Sequence, residues 1–177
     1  MDRQLIKAAG QRAGLELDSA SLEALAFFIE RLKEANRHIN LTAITDDEAI
    51  ASLHLEDSWH LSSHIPPGSR LVDVGTGAGF PGLALRLVRP DLDVTLLDST
   101  RKKINFLEET IQALDLDGVK ALHGRAEELG RDALHRDSYD LALARAVSSL
   151  PVLAELCLPL VKKGGLFIAM KGEADES

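Results

Sequence analysis

A doubly wound, mostly parallel α/β sheet is the fold class this sequence predicts, and three observations carry the prediction. The first is RLVDVGTGAGFPG at residues 70–82, where a short β-forming run leads into Gly75, Gly77 and Gly79. Helical spacing of Leu83, Leu87 and Val88 follows, so the glycines join a strand's carboxyl end to a helix's amino end. The second is the alternation of short apolar runs with helical patterns downstream, which yields five strands linked by crossovers. The third is a helical prelude that closes at Pro66-Pro67-Gly68. The chain thus divides into a helical extension, residues 1–66, packed on a sheet domain, residues 67–177.

In the prelude, residues 2–13 place Leu5, Ile6 and Ala9 on one side of a short helix. Asp18 and Ser19 are N-cap candidates for a second helix carrying Leu22, Leu25, Ala26, Ile29 and Leu32. That helix ends near 36–40, and NLTAIT continues as an extended link. Thr45 and Glu48 read as a capping box opening a third helix, with Ile50, Leu53, Trp59 and Leu61 turned inward. His54, Asp57 and Ser58 share a face of that helix and read as residues pinning the prelude to the sheet. His54 and Asp57 are also placed to line the rim of a site. His60 and His64 are four apart, but no third ligand stands at a fitting spacing, so no metal site is expected.

After the glycine turn, strands are expected at 93–99, 119–124 and 139–147. A final strand, 166–172, follows a Lys-Lys-Gly-Gly turn at 162–165. TRKKINFLEETIQAL and LPVLAELCLPLV supply helices between them.

Composition narrows the function classes. The 177 residues are 45% apolar and 27% charged, with a single cysteine, Cys157. That excludes an intramolecular disulfide, argues for a reducing compartment, and with an N-terminus too polar for a secretory signal predicts a cytoplasmic protein. No apolar run reaches the roughly 18 residues that span a bilayer, so no membrane partner is expected. The net charge of −8 lacks the basic footprint usual among nucleic-acid binders. Contact with RNA would have to use local cations such as Arg101, Lys102, Lys103 and Arg125.

The glycine turn admits two ligands. Gly77, Gly79 and Gly82 spell the dinucleotide pattern G-x-G-x-x-G. Begun from Asp73, the same stretch is D-x-G-x-G-x-G and resembles the first motif of S-adenosylmethionine (SAM)-dependent methyltransferases. An acid there can take an ammonium group, which SAM has and a nicotinamide dinucleotide lacks. Asp98 ends the second strand, where an acid reaches ribose hydroxyls, and Ala126-Glu127 follows the third. In the methyltransferase class, the first holds the ribose and the second lies beside adenine. A dehydrogenase would need a proton relay, yet the one tyrosine, Tyr139, has no lysine four residues on. The fourth strand carries no N/D-P-P-Y/F turn of the exocyclic-amine methyltransferases, and Cys157 sits mid-helix among leucines rather than as a nucleophile. It offers Arg145 instead, which cannot act as a base but can grip a carboxylate or phosphate.

Taken together, NLT (40–42), H-x-x-D-S (54–58), DVGTGAGFPGLAL (73–85), VRP (88–90), LLDSTRKK (96–103), GRAEEL (124–129), ARAV (144–147) and MKG (170–172) resemble one family. It is that of the bacterial small-subunit (16S) rRNA guanine-N7 methyltransferases, also called glucose-inhibited division protein B. The match runs from about residue 20 to 172. The resemblance implies a Rossmann-like class I methyltransferase with SAM as cofactor. It implies small-subunit rRNA, naked or as ribonucleoprotein, as partner, and a monomer when full length. Its cofactor positions fall on Gly75, Phe80, Asp98, Ser99, Thr100, Ala126, Glu127 and Arg145. Gly77 joins them because a side chain there would fill space the cofactor needs. Guanine N7 has a free lone pair and no proton to lose, so neither a general base nor a metal is expected. The family continues past the MKG strand, so the closing strands of the sheet are expected to be absent from this chain. A small-molecule methyltransferase and a non-catalytic SAM- or RNA-binding module are the alternatives.

Overall fold

Strand alternation decides how the sheet is covered. The computed structural model describes residues 1–145 and 148–170. Its strands are β1 (Arg70–Val74), β2 (Asp93–Asp98), β3 (Val119–His123), β4 (Tyr139–Arg145) and β5 (Val161–Met170). All pair in parallel, in the order β3-β2-β1-β4-β5. The described strands include Met170 of the MKG motif. Lys171, Gly172 and the acidic tail, like Ala146 and Val147 of the ARAV motif, lie outside the described residues.

Because side chains alternate, Leu71, Leu96, Leu141 and Leu143 face one layer, while Val72, Val74, Leu97, Ala142 and Ala144 face the other. The first layer holds α5 (Gly82–Val88) and α6 (Arg101–Ala113) together with the whole prelude. The second holds α7 (Ala126–Leu129) and α8 (Leu150–Cys157), with Cys157 fully buried. Period two then carries Asp73, Asp98 and Arg145 onto the prelude's face at the strand ends. There the winding direction reverses between β1 and β4, the position at which such sheets bind ligands.

The prelude consists of α1 (Arg3–Arg12), α2 (Ser19–Ala35), α3 (Asp47–Ala49), a π-helical segment Ile50–Glu56 and α4 (Asp57–His60). Asp18 caps α2, its carboxylate accepting from the Ser21 N–H at 2.7 Å. The cap of α3 is Asp46 rather than Thr45, for the Asp46 carboxylate takes the Ala49 N–H at 2.9 Å. The expected T-x-x-E box is therefore replaced by a cap one residue later, where an acid, a stronger N-cap residue than threonine, takes the N–H three residues on.

The π pitch also changes which residues face inward. Ile50, Ala51, His54, Leu55, Ser58 and Trp59 are buried, at a spacing near four, while Leu53 is exposed. A regular 3.6-residue period, which placed Leu53 inside, fails where the helix widens. The Trp59 indole N–H donates to the Ala84 carbonyl at 3.0 Å, fastening the prelude to α5. Arg89 of the VRP motif ties the same region down, donating to the Ser62 and Ile65 carbonyls and pairing with Asp91 at 2.7 Å.

In β5, Tyr139 is opposite Val161 but Leu141 is opposite Leu166, so residues 162–165 bulge out of register. This is the Lys-Lys-Gly-Gly turn, with Gly164 at φ 83°. Among the described residues, no helix is long and apolar enough to cross a membrane.

Candidate functional site

Glycine geometry builds the floor of the site. Gly75 (φ 70°), Gly77 (φ 57°) and Gly79 (φ 105°) are all left-handed, which a side chain would strain. A Cβ on Gly77 would meet nothing within 4 Å, so open space lies above it. Gly82 is required for the opposite reason, since its Cβ would stand 2.5 Å from Leu96 Cδ2 and 2.8 Å from Asp73 Oδ2.

Two acids hold this turn. Asp73 is fully buried, and its Oδ2 accepts from Thr76 Oγ1 at 2.7 Å and from the Gly82 N–H at 2.8 Å. Its Oδ1 accepts no hydrogen bond among the described residues. Burial raises its carboxyl to about 6, against the pull of those two donors and of Arg145. Asp73 thus braces the turn from beneath, where the sequence suggested an ammonium contact in the cleft. Asp98 stands on the cleft side. Its Oδ2 accepts from the Gly77 N–H at 2.9 Å, and its Oδ1 takes the Thr100 N–H at 2.8 Å at the start of α6. Each oxygen keeps a lone pair.

A cleft of about 390 Å³ opens at these strand ends. Gly75, Asp98, Ser99, Thr100, Ala126, Glu127 and Arg145 all line it, bringing seven of the nine expected cofactor residues together. Gly77 does not line the cleft itself but sits in the turn bounding it. Phe80 departs from expectation. Its ring is buried, stacked on His54 at 4.4 Å between centroids and tilted against Phe28 at 5.3 Å. Phe80 lies in the turn ahead of α5 with its ring packed in the core, so the ring does not line the cleft. Lys103 and Arg125 also line the cleft; the sequence marked them only as cations for RNA.

Arg145 forms the far wall. It donates through Nη1 to the Leu53 carbonyl at 3.2 Å and through Nη2 to His54 Nδ1 at 3.0 Å. Burial and the Arg145 cation together lower His54 to about 4, so its ring is neutral at pH 7. Burial raises Asp57, the nearby acid. Cys157 is pushed up to about 12 by burial and offers no thiolate. Periodicity had marked His54 only as a pinning or rim residue, because its partner lies in a strand far along the chain.

A larger groove of about 640 Å³ runs between α2 and α6, lined by Phe27, Arg31, Lys102 and Glu109 among others. It lacks the glycine amides, and its Arg31 and Glu109 pair with each other at 3.3 Å. Among the described residues, no cluster of three His, Cys, Asp or Glu side chains is placed to hold a metal.

Comparison with known proteins agrees with this geometry. The profile of the family described as rRNA small subunit methyltransferase G matches residues 21–177. Ribosomal RNA small subunit methyltransferase G of Acetivibrio thermocellus is 47% identical over 98% of this chain and 72% of its own length. The protein of the same name from Alkaliphilus metalliredigens is 45% identical over 96% of this chain and 72% of its own. Among solved structures, a Plasmodium falciparum protein-L-isoaspartate O-methyltransferase in complex with S-adenosyl-L-homocysteine superposes with a TM-score of 0.53. It is 20% identical, over 97% of this chain and 84% of that one. A SAM-dependent methyltransferase from Aquifex aeolicus gives 0.51 at 21% identity, over 76% and 65% of the two chains. These distant likenesses establish the Rossmann-like fold, and the sequence match over residues 21–177 establishes that the chain belongs to the rRNA small subunit methyltransferase G family.

Proposed function

We infer that this protein is a SAM-dependent methyltransferase that methylates N7 of a guanine in small-subunit rRNA. The observation that carries the reading is the convergence of seven expected residues in one cleft at the strand ends of a family member. The residues fit SAM. The space above Gly77 is open, each Asp98 oxygen keeps a lone pair that would accept from ribose hydroxyls, and Ala126 and Glu127 line the cleft, where they would lie beside the adenine. Gly75, Ser99 and Thr100 line the same cleft and would complete the contacts to the cofactor. When bound, SAM supplies a methyl group activated on a sulfonium.

What the chain itself contributes is positioning. N7 loses no proton, so alignment and exclusion of water can provide most of the rate enhancement. Arg145 presents a fixed cation to a carboxylate or a phosphate at the cleft wall. Lys103 and Arg125, which line the cleft, are the cations that would meet the RNA backbone despite the acidic chain. The protein is read as a cytoplasmic monomer whose substrate is rRNA, free or within a ribonucleoprotein. The test is transfer of labelled methyl from SAM to naked small-subunit RNA, assembled subunits or a metabolite extract. N7-specific strand cleavage then maps the product. Label confined to metabolites would remove the rRNA reading.

A further inference from the structure

Behind the cleft wall lies a chain of side chains, Thr42, His54 and Arg145, to which the family match assigns no joint role. His54 is 5% exposed, and both of its ring nitrogens are engaged. A guanidinium has only donors, so Nδ1, 3.0 Å from Arg145 Nη2, must accept. The one ring proton then lies on Nε2, which donates to Thr42 Oγ1 at 2.8 Å. Thr42 is itself fixed. Its Oγ1 accepts from the Ile44 N–H at 3.0 Å, and the Asn36 carboxamide binds both its N–H and its carbonyl, at 3.0 and 2.9 Å. The Leu53 carbonyl takes a second Arg145 donor. Two consecutive residues of the π-helical segment therefore grip one guanidinium, and π-helical turns recur at functional sites. The ring stacks on Phe80 within 9° of parallel, which sets its plane.

We propose that His54 is a positioning residue for methyl transfer, its neutral ring steered by Thr42 so that Nδ1 fixes the Arg145 guanidinium at the cleft wall. This rests on the reading of the cleft as the cofactor and substrate site. The remaining Arg145 donors stay available to the cleft, and the prelude acts as the jig that aims them. A histidine serving only as core filler would be replaceable by any ring of similar shape.

Three variants separate these roles. His54→Phe keeps the stack on Phe80 but removes both polar bonds. His54→Asn retains an amide oxygen near the position of Nδ1, and Arg145→Ala removes the group being held. For His54→Phe, kcat/KM for methyl transfer should fall roughly 10- to 150-fold, the range for losing a hydrogen bond to a charged group. His54→Asn should recover a large part of that loss. In the Arg145→Ala background, His54→Phe should cost less than about twofold, because nothing is left to position. Wild-type rates in His54→Phe, or an equal loss with and without Arg145, would overturn the proposal. Nitrogen-15 spectra test the grip without turnover. The folded wild type should show one protonated His54 nitrogen and a slowly exchanging Arg145 Nη–H, absent from His54→Phe. Their absence in the wild type would overturn the positioning role itself. A wild type that shows them yet neither binds SAM nor transfers methyl would instead remove the reading of the cleft.

Discussion

The two walls of the cleft are built by different means. At the ends of β1 and β2, the wall is a glycine turn whose amides are used within the fold, Gly75 donating to the Leu97 carbonyl, Gly77 to Asp98 and Gly82 to Asp73. At the end of β4, the group is a side-chain cation, and its holder His54 lies 91 residues away in the prelude. The first wall needs only the glycine turn and the adjacent strand β2, whose Leu97 and Asp98 hold its amides. The second exists only once the prelude docks. The difference extends to protonation. Burial favours the neutral form of both Asp73 and His54, which gives them opposite pH signatures.

The largest effect should come from breaking the first wall at its base. Asp73→Ala leaves the Gly82 N–H and the Thr76 hydroxyl without their acceptor in the core, and should cost about 3 kcal/mol or more of unfolding free energy. Urea denaturation measures it; a loss below about 1 kcal/mol would mean the turn is braced elsewhere.

Gly77→Val should next remove SAM binding, weakening it more than about 100-fold. The branched side chain would occupy the open space above the turn and strain φ 57°. Calorimetric titration with SAM that finds wild-type affinity would refute the assignment of this wall to the cofactor.

Asp98→Ala removes the proposed ribose acceptor together with the clamp on the Gly77 and Thr100 amides. A weakening of roughly 10- to 150-fold in Kd is expected. A change under twofold would show that the turn keeps its shape without the acid and that the ribose binds elsewhere.

The pH signatures give the smallest effect and the sharpest comparison. His54 has a folded value of about 4, below its ordinary 6.5. Its contribution is complete above about pH 6.5. It is lost as pH falls towards 4, because the unfolded chain takes up a proton that the folded one refuses. Relative to His54→Phe, the wild type should therefore lose on the order of 2 kcal/mol between pH 7 and pH 4.5. Asp73, raised to about 6 from an ordinary 3.8, runs the other way. Relative to Asp73→Asn, the wild type should gain stability as pH falls from about 6 towards 4. Paired urea titrations read both slopes, and slopes of one sign would mean the two walls are not distinct in this way.

Much of the fold was legible before any coordinates. Period-two and 3.6-residue patterns reflect which side chains leave water, a local property that survives without knowing the neighbours. So β1 to β4, the Asp18 cap and the glycine turn could be read directly, Asp98 follows from its place at the end of the second strand, and Gly75, Ala126 and Glu127 follow from the family resemblance. What failed was short-range competition and long-range direction. Asp46 took the cap expected of Thr45, and the π pitch turned Leu53 out and Leu55 in.

The chain's own order of residues determined a strand–glycine–helix unit and the acids that end β1 and β2, because those elements are built from neighbours. Only the tertiary structure decided that Phe80 belongs to the core, that Asp73 supports the turn from below, and that His54 reaches Arg145. Those outcomes depend on how the prelude packs across the sheet, where burial and hydrogen-bond partners are set by segments far apart along the chain.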